Sequence, residues 1–500
     1  MIRSRYLLWL SCFALLLCAI PARAHVGSPD VYAEGEAGPY KLSVVVRPPM
    51  VIPGVAEIEV RSSTPGIDKI TITPMLLTGE ASKHPPVPDT MTKPSGDAQF
   101  FTGHLWIMAA GSWQVRFVAN GSQGQGVLSI PVPATAMGTQ KMQTGMGLML
   151  AILGLILVLG MVGIIGAAAR EAQVPSGQVV SSKNRKRAYV AMTVTLAVLV
   201  IVVVFGGQWW NAEATSYSSR IYKPLQMDAT LQPDNVVDLK MSDPGWMHNR
   251  KLDDFVLDHN HLMHLYAIRW PAMDVVFHLH PDQTGTGEFR LALPIMPAGT
   301  YKLFADVVHA NGFPETMVTS LELPLIRGHV LSGDDAEGTA TAIRPDGMGT
   351  ENSTTYKLPD GYSMVWKRPA KLTAKAPEDF TFTLLDQQGN PPKDMGLYMG
   401  MVGHAAFVKT DGTVFAHIHP SGTVAMAALM MAQSENAGSN SMSTMDMKSM
   451  PGMDMSGSSA ISDTVSFPYG FPTPGSYRIF VQMKHGNVVE TATFDAQVRS

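Results

Sequence analysis

Apolar and polar residues alternate along most of the chain. Segments such as YKLSVVV (40–46) and AEIEVRS (56–62) keep this two-residue period between Gly, Pro and Asn positions. Side chains of a half-buried strand point alternately to core and solvent, so the period is that of β-strands, and little helical periodicity accompanies it. The pattern predicts a mainly β protein.

Two apolar runs interrupt this pattern. Residues 145–168 and 188–206 hold no charged side chain over 24 and 19 positions, and each run is long enough to cross a membrane. The basic segment 169–187 between them favours a cytoplasmic loop. The chain is therefore predicted to cross a bacterial inner membrane twice, with 25–142 and 208–500 in the periplasm. Neither span holds an ionisable residue, so we interpret the two transmembrane helices as an anchor.

The N-terminus has the features of a secretory signal. A basic start, an apolar stretch and a small-x-small motif ending at Ala24 predict a signal peptide over 1–24. Both cysteines, Cys12 and Cys18, lie within it, so the mature chain would have no disulfide and no cysteine metal site. Cleavage would leave His25 as the first residue.

Composition narrows the functional classes. The 500 residues carry a net charge of −4, only 16% of them are charged, and no phosphate-loop motif occurs. Neither a nucleic acid nor a nucleotide is therefore expected as a partner. Methionine is abundant, with 33 residues, and histidine is concentrated locally. Five of the 15 histidines lie in DHNHLMHLYAIRWPAMDVVFHLHP, residues 258–281.

Three segments repeat one signature, in which a glycine and a small residue precede a Trp or Tyr that enters an alternating strand. An aromatic residue at that place is typical of the tyrosine corner of immunoglobulin-like sandwiches. The sequence therefore predicts three immunoglobulin-like β-sandwich domains outside the membrane. The segments are AAGSWQVRFVANG (109–121), PAGTYKLFADVVHANG (297–312) and PTPGSYRIFVQMKHGN (472–487).

The last two domains also agree upstream of this signature. HLYAIRWPAMDVVFHLHP aligns with HAAFVKTDGTVFAHIHP, which indicates a tandem repeat. The predicted boundaries are 25–135 for the N-terminal domain, 215–325 for repeat 1, 326–356 for a polar linker and 357–499 for repeat 2. The alignment pairs His264 with His404, His278 with His417, His280 with His419 and His309 with His485.

The turn in repeat 2 predicts a hairpin register. Asp411-Gly412 is a strong signal for a two-residue turn. Such a turn places His404 opposite His419, and His417 lies two residues along on the same face. Three imidazoles would then converge on one face of one hairpin.

The same register in repeat 1 pairs His264 with His280, and His278 joins them. His309 in repeat 1 and His485 in repeat 2 would reach these patches from a later strand. Imidazole is the most common side-chain metal ligand, and an H-x-H pair with an opposed histidine suits copper, zinc or nickel. We predict one metal site in each repeat, and the alternative is a polar or pH-sensitive surface.

Methionine favours one of these metals. His259 and His261 of repeat 1 align with Met399 and Met401 of repeat 2. Because a thioether binds soft Cu(I) and does little for zinc, a site that exchanges histidine for methionine favours copper. His261, Met399 and Met401 are therefore candidate ligands as well.

Residues 426–455 form an insert in repeat 2. Its methionines lie among Ser, Gly and Asp with no apolar period around them, so they do not resemble a hydrophobic core. We interpret the insert as a flexible loop that binds Cu(I) loosely, and the alternative is a linker of biased composition. The candidate ligands there are Met442, Met445, Met447, Met450, Met453 and Met455.

The N-terminal domain offers a further candidate site. A free N-terminal histidine at His25 would present its amine and a ring nitrogen to one Cu(II) ion. His104, in FFTGHLW, is a candidate companion. The alternative is that a histidine follows the cleavage site by chance.

Parts of the chain resemble known bacterial families. The F-x-H-L-H-P and F-A-H-I-H-P-S-G-T motifs, with P-A-G-x-Y-x-L-F-x-D after the first, look like YtkA-like and FixH-like periplasmic β-domains. The start, HVGSPDVYAEGEAGPYKLSVVVRPP, is similar to a CopC-like exported domain, although no Asp-x-His pair follows within 25–135. This resemblance implies an immunoglobulin-like fold and the handling of copper or another heavy metal.

Together these features predict a membrane-anchored periplasmic protein that binds copper, as Cu(I), Cu(II) or both, for resistance, storage or delivery. A copper exporter or a copper-dependent enzyme would be its partner, because 169–187 is too short for an ATPase. No catalytic triad or pair of carboxylates indicates an enzyme. The alternatives are a copper oxidase or monooxygenase that uses His25, and a structural or interaction module without metal.

Overall fold

The computed structural model describes residues 30–140, 142–246, 250–343, 353–434 and 461–500. Over these residues the chain is mainly β with two long apolar helices, as the sequence predicts. It divides into two compact units, a helical unit at 136–222 and a β-unit formed by the chain before and after it.

Two helices make up the helical unit, α1 (Thr144–Glu171) and α2 (Ser182–Ser219). They pack closely at Gly166, where an added Cβ would lie 2.6 Å from the sulfur of Met192. Elsewhere their apolar side chains are exposed, as at Leu157. Both helices are long and apolar enough to cross a membrane, and a surface of this kind requires a lipid or protein cover.

Helix α2 differs from its predicted extent at both ends. The Ser181 side chain accepts a hydrogen bond from the Asn184 amide and caps the helix start. The basic residues Lys183, Arg185, Lys186 and Arg187 therefore lie in the first turns of the helix and not in a loop. The helix also continues past residue 206 to Ser219, because no proline or turn-forming cluster interrupts the segment that follows.

Two antiparallel four-stranded sheets form the N-terminal domain. Its strands are β1 (Val31–Ala37), β2 (Tyr40–Arg47), β3 (Gly54–Ser62), β4 (Ile67–Leu76), β5 (Asp89–Thr90), β6 (Phe100–Ile107), β7 (Gly111–Gly121) and β8 (Gly124–Ala134). One sheet has the order β1-β2-β3-β6 and the other the order β5-β4-β7-β8. A 3-10 helix, Glu80–Lys83, follows β4.

Repeat 1 also consists of two sheets. Its strands are β9 (Gln226–Leu231), β10 (Val236–Ser242), β11 (His264–Arg269), β12 (Val275–Leu279), β13 (Asp282–Gly285), β14 (Glu288–Ala292), β15 (Gly299–Val308), β16 (Pro314–Leu323) and β17 (Ala336–Thr339). The orders are β13-β14-β10-β9 and β16-β15-β11-β12-β17. Strand β17 lies within the predicted linker 326–356, so part of that segment belongs to the sheet, where it covers the edge of β12.

Repeat 2 has the same two-sheet plan. Its strands are β18 (Thr355–Lys357), β19 (Ser363–Lys367), β20 (Leu372–Thr373), β21 (Glu378–Leu385), β22 (Met395–Gly396), β23 (Gly403–Lys409), β24 (Phe415–Ile418), β25 (Thr464–Tyr469), β26 (Gly475–His485) and β27 (Val488–Arg499). The orders are β18-β19-β21-β25 and β20-β27-β26-β23-β24, and β22 also pairs with β26.

The repeated glycine–aromatic signature forms the same corner three times. The strands β7, β15 and β26 each begin at a glycine with a positive φ, between 136° and 153°, a conformation that disfavours other residues. Two residues later the aromatic side chain donates to the carbonyl four positions upstream, which ties the strand start to the preceding turn. The pairs are Trp113 to Ala109 at 2.9 Å, Tyr301 to Pro297 at 2.9 Å and Tyr477 to Thr473 at 2.8 Å.

The hairpin of repeat 2 has the predicted register but a different turn. Ala405 of β23 lies opposite Ile418 of β24, as the prediction requires. The Asp411 side chain, however, accepts a hydrogen bond from the Thr413 amide at 2.9 Å. Only Gly412 has a positive φ, at 73°, whereas a two-residue type I′ turn needs two such residues. The loop is therefore longer than the predicted turn.

The insert 426–455 begins with a helix, α3 (Met426–Ser434), and not with a loop. Its Ala428 and Ala432 pack on Leu77 of the N-terminal domain. The carboxylate of Asp258, in repeat 1, accepts a hydrogen bond from the Ala427 amide at 2.7 Å. An acidic group is favourable at a helix N-terminus, so α3 connects all three domains.

Candidate metal centre

Each repeat presents a hairpin whose histidines lie in the predicted register. The pairing of β11 with β12 places His264 opposite His280, and the pairing of β23 with β24 places His404 opposite His419. Because alternate residues of a strand share a face, the other histidine of each H-x-H pair lies beside them.

The two hairpins pack face to face. Leu265 on one face of β11 belongs to the core of repeat 1, whereas Tyr266 on the other face belongs to an apolar cluster shared with repeat 2. At the centre of this cluster the Phe304 ring of repeat 1 stacks on the Phe415 ring of repeat 2, with centroids 4.4 Å apart. The packing brings the histidines of both hairpins to one interface, where the sequence predicted two separate sites.

Eight imidazoles of the described residues meet at this interface. Rings from different repeats come close to each other, with centroids 4.9 Å apart for His259 and His404 and 5.3 Å apart for His264 and His417. The eight are His259, His261, His264, His278, His280, His404, His417 and His419. They contain two groups of three with metal-ligand spacing.

The cross-repeat trio combines His259 of repeat 1 with His404 and His419 of repeat 2. One ring nitrogen from each lies within 4.8 Å of the other two. His259 Nδ1 donates to the Met399 carbonyl at 2.8 Å, and His419 Nδ1 donates to the Val424 carbonyl at 3.2 Å. The Nε2 atoms of all three histidines are buried and have no hydrogen-bond partner. A neutral imidazole that donates from one nitrogen presents a lone pair on the other, which is the form that binds metal.

The repeat 1 trio consists of His264, His278 and His280. Its inner nitrogens, His264 Nδ1 and His278 Nε2, lie 3.2 Å apart, and the Nε2 of His280 is buried without a hydrogen-bond partner. The outer nitrogens donate to oxygen atoms. These are the Asp258 carbonyl at 3.0 Å from His264, the Gln482 side chain at 2.9 Å from His278 and the Asp335 carboxylate at 2.9 Å from His280.

Both trios offer three histidine nitrogens to one ion. Nitrogen ligands about 2.0–2.1 Å from a tetrahedral ion are themselves roughly 3.3 Å apart, close to the 3.2 Å between His264 and His278. Oxygen acceptors on the outer nitrogens orient the rings of a metal site and raise their basicity. Three protein ligands leave a fourth position open to water or another ligand.

Burial favours the neutral form of the most deeply buried of these imidazoles. Loss of solvent, and next the neighbouring imidazoles, hold the pKa of His264, His278, His404 and His417 well below the usual 6.5. Burial lowers the pKa of His419 to about 4. Near pH 7 the lone pairs are therefore available to a metal without competition from protons.

Two equivalent turns hold His259 and Met399. The turns Asp258–His261 and Tyr398–Met401 each close with reciprocal backbone hydrogen bonds. The φ angles are 49° at His259 and 50° at Met399, so both turns project the second residue in the same way. The alignment of His259 and His261 with Met399 and Met401 is thereby confirmed in the backbone, and both methionine side chains are buried.

A polar side chain of each repeat contacts a histidine of the other repeat. Asp306 and Gln482 have equivalent places, because each pairs with the first histidine of its own hairpin. The Asp306 carboxylate lies 3.5 Å from Nδ1 of His417 in repeat 2, and the Gln482 side chain accepts from His278 of repeat 1. Burial raises the pKa of Asp306. Gln482 of repeat 2 therefore helps to orient a histidine of repeat 1, and Asp306 of repeat 1 places a carboxylate beside a histidine of repeat 2.

His309 and His485 do not join the cluster. Each follows Asp306 or Gln482 by three residues, and an odd spacing along a strand turns a side chain to the opposite face. His309 Nδ1 instead contacts the Asp254 carboxylate at 2.7 Å. The prediction that His309 and His485 join the hairpin histidines is therefore wrong, because strand alternation places them on the opposite face of the sheet.

The remaining candidates lie at the edge of the cluster or away from it. His261 stacks on His280 with ring centroids 3.8 Å apart, and its Nε2 lies 3.2 Å from the Asp334 carboxylate. His104 is exposed on β6, opposite Glu57. The other candidates fall outside the described residues, namely His25, Met442, Met445, Met447, Met450, Met453 and Met455.

Sequence reasoning missed three residues of the site. His259 was aligned with Met399 but not counted as a ligand, and Asp306 and Gln482 were not considered. A signal was present, because the outward face of β11, at Tyr266 and Ile268, is apolar where a solvent-facing sheet would be polar. Such a face predicts a second surface packed on the hairpin.

Comparison with known proteins adds little to this geometry. A family model described as a domain of unknown function (DUF8832) matches residues 355–500, which include repeat 2. No curated protein matches the chain.

Two solved structures with some likeness are bacterial α2-macroglobulins. The Salmonella protein reacted with methylamine shows 8% identity and a TM-score of 0.18, covering 94% of this chain and 23% of that one. The trypsin-activated Escherichia coli protein shows 9% identity and a TM-score of 0.17, covering 95% and 24%. The chain thus spans about a quarter of the length of these two proteins.

Proposed function

We propose that this is a membrane-anchored, exported copper-binding protein that holds copper between its two histidine-rich repeats for resistance, storage or delivery. One observation carries the proposal. In both buried trios the histidines present nitrogen lone pairs towards one another, while their other nitrogens are hydrogen-bonded to protein groups. Bringing six imidazoles out of water into such an arrangement is costly unless a metal ion compensates.

Methionine supports copper over zinc. Met399 and Met401 are buried in one turn, and the Met399 carbonyl accepts a hydrogen bond from His259 Nδ1. The insert 426–455 supplies further thioethers. Soft thioether sulfur favours Cu(I), and imidazole binds both oxidation states of copper. The insert would capture Cu(I) loosely and pass it to the histidine trios.

The two apolar helices support the role of an anchor. The basic residues 183–187 at the start of α2 favour a cytoplasmic position for the connection between the helices. Both large regions would then lie in the periplasm, where a copper exporter or a copper-dependent enzyme would be the partner.

A metal titration of the full-length protein in detergent tests this proposal. The protein is loaded separately with Cu(I) under reductant, Cu(II) and Zn(II), passed through a desalting column, and its metal content counted per chain. We expect two tightly held copper ions and weaker binding of zinc by the two histidine trios. The control His104→Ala removes an exposed histidine from β6 and should keep both. Retention of no copper, or of zinc in preference to copper, would contradict the proposal.

The open fourth position of each trio also permits a reaction with oxygen, which would make the protein an oxidase. Reductant-dependent oxygen consumption by the copper-loaded protein separates the two functions. A binding protein should consume no more oxygen than the His278→Ala, His404→Ala double variant under the same conditions.

A further inference from the structure

A second type of site lies on the opposite face of repeat 2, around His485 at the end of β26. Its Nε2 is 3.3 Å from the Asp360 carboxylate and 3.4 Å from the Glu490 carboxylate. Its Nδ1 is 3.6 Å from the Asp394 carboxylate, and its ring stacks on Tyr362 with centroids 4.1 Å apart. Three carboxylates thus surround one buried imidazole.

Repeat 1 has the same arrangement at His309. Glu315 of β16 lies opposite Val307, and Glu490 of β27 lies opposite Met483, which are equivalent register positions. The Asp254 and Asp394 carbonyls accept equivalent backbone hydrogen bonds, from Ala310 and Gly486. An Asp–His–Glu set therefore occurs in both repeats: Asp254, His309 and Glu315, and Asp394, His485 and Glu490.

The two sets differ in what balances their negative charge. In repeat 1 the Arg250 guanidinium forms ion pairs with the buried Glu315 and with Asp243. Among the described residues of repeat 2, no lysine or arginine forms an ion pair with Asp360, Asp394 or Glu490. In repeat 1 the Arg250 guanidinium therefore balances the carboxylates, whereas the carboxylates of repeat 2 have no such side chain beside them among the described residues.

The distances between the possible ligand atoms of repeat 2 match those around a tetrahedral metal ion. We propose that Asp360, His485 and Glu490 bind a divalent ion of the zinc class. Oxygen and nitrogen ligands about 2.0–2.2 Å from tetrahedral zinc lie roughly 3.3–3.5 Å apart, and His485 Nε2 lies 3.3 and 3.4 Å from the two carboxylate oxygens. Ligand atoms from all three residues lie within 4.8 Å of one another.

The surroundings complete such a site. The Asp394 carboxylate lies 3.6 Å from Nδ1 and adds a third negative group beside the ring. The Tyr362 amide donates to Oδ1 of Asp360 at 2.9 Å, which leaves Oδ2 to face the imidazole. One imidazole with two carboxylates suits zinc better than calcium or magnesium, which prefer oxygen ligands alone.

The ion would do in repeat 2 what Arg250 does in repeat 1. It would tie the loop that carries Asp360 to the β26–β27 hairpin through Glu490. The Asp360 side chain is 33% exposed, so the ion could enter from solvent and keep a water as its fourth ligand. The proposal is independent of copper binding, because none of these three residues belongs to the histidine trios.

Zinc binding by the full-length protein in detergent tests this site. Zinc is titrated into the wild type, Asp360→Asn and Glu490→Gln, and both the zinc content and the thermal midpoint are measured. Zinc bound at other places in the chain does not affect the result, because the zinc content of each variant is subtracted from that of the wild type. The control Asp411→Asn changes a carboxylate at the hairpin tip of the same repeat.

Both site variants should bind one zinc ion fewer than the wild type, or bind it at least about tenfold more weakly, and should lose part of the rise in thermal midpoint that zinc causes. Their copper content should equal that of the wild type. Asp360 is partly exposed, so its variant should fold even if Glu490→Gln does not. Unchanged zinc content and midpoint shift in folded Asp360→Asn would overturn the proposal.

Discussion

His264 Nδ1 and His278 Nε2 lie 3.2 Å apart, and the other nitrogen of each ring donates to an oxygen atom of the protein. Two lone pairs at this distance repel each other unless a proton or a metal ion lies between them. The acceptors, the Asp258 carbonyl and the Gln482 side chain, are thus part of the centre, because they determine which nitrogens face inward.

Removing two ligands of the repeat 1 trio should remove one copper ion. In His278→Ala, His280→Ala the inward nitrogens are reduced to that of His264, which is too few to hold copper tightly. The metal content per chain, measured after desalting, should fall from two to one. The double variant His404→Ala, His419→Ala should lose the other ion, and all four changes together should lose both. An unchanged copper count in the first variant would show that the trio is not a site.

Gln482 should tune the affinity of the repeat 1 trio without changing the number of ions. Its side chain accepts from His278 at 2.9 Å, and loss of such an outer partner commonly weakens metal binding about 10–100-fold. In Gln482→Ala, competition with a copper chelator should show one site weakened by this factor. Gln497→Ala, which removes an exposed glutamine paired with Ser476, should leave both affinities unchanged.

The contact between the repeats should be required for copper binding. Phe304 and Phe415 stack across the interface, and the cross-repeat trio takes ligands from both sides. Phe304→Ala should lower the free energy of unfolding by about 3–5 kcal/mol and also weaken copper binding at the cross-repeat trio. Denaturant unfolding and chelator competition measure the two effects.

Phe494→Ala is the matched control for this substitution, since Phe494 is also buried but its ring contacts, with Tyr356, Trp366 and Phe382, all lie within repeat 2. It should cost a similar free energy of unfolding and keep the copper affinity. Equal losses of copper affinity in both variants would mean that general destabilisation, and not the interface, explains the effect.

The metal-free protein should lose stability in mild acid. Burial holds the pKa of His419 at about 4 in the folded protein, against about 6.5 in an unfolded chain. Between these values the unfolded state binds the proton and the folded state does not, so stability falls as pH drops from 6.5 to 4, by up to about 3 kcal/mol for this group.

His419→Gln isolates this contribution. Thermal midpoints of the metal-free wild type and variant are compared from pH 7.5 to 4, and the midpoint of the variant should decline less. The raised pKa of Asp306 acts with the opposite sign, because its stability contribution decreases as pH rises above about 4; it is present in both proteins and cancels. Parallel curves would contradict a buried, neutral His419.

Part of this site follows directly from the sequence. The hairpin turn and the two-residue period of strands predict the pairing of His264 with His280 and of His404 with His419. The signature of a glycine and a small residue before a Trp or Tyr predicts the three corners. These are local relations, because neighbours along a strand and across a hairpin are separated by few residues. The apolar runs likewise predict both long helices, since length and composition alone decide that property.

Other features depend on contacts between distant segments, which a single sequence does not contain. The register was right although the turn at Asp411 was not, because pairing of the flanking strands determines register and the Asx contact with Thr413 determines the loop. His309 and His485 were grouped with the hairpin histidines by their position after a shared glycine. Each follows Asp306 or Gln482 by three residues, and this odd spacing places it on the opposite face of the sheet. Its carboxylate partners there come from distant segments and are visible only in the fold.

The sequence by itself therefore determined a mainly β chain with two apolar helices and two hairpins of convergent histidines. Only the tertiary structure decided that the hairpins face each other and that His259 crosses to His404 and His419. The physical reason is that strand periodicity specifies which side a residue faces, whereas the partner on that side depends on the packing of apolar surfaces far apart in the chain, such as Phe304 on Phe415.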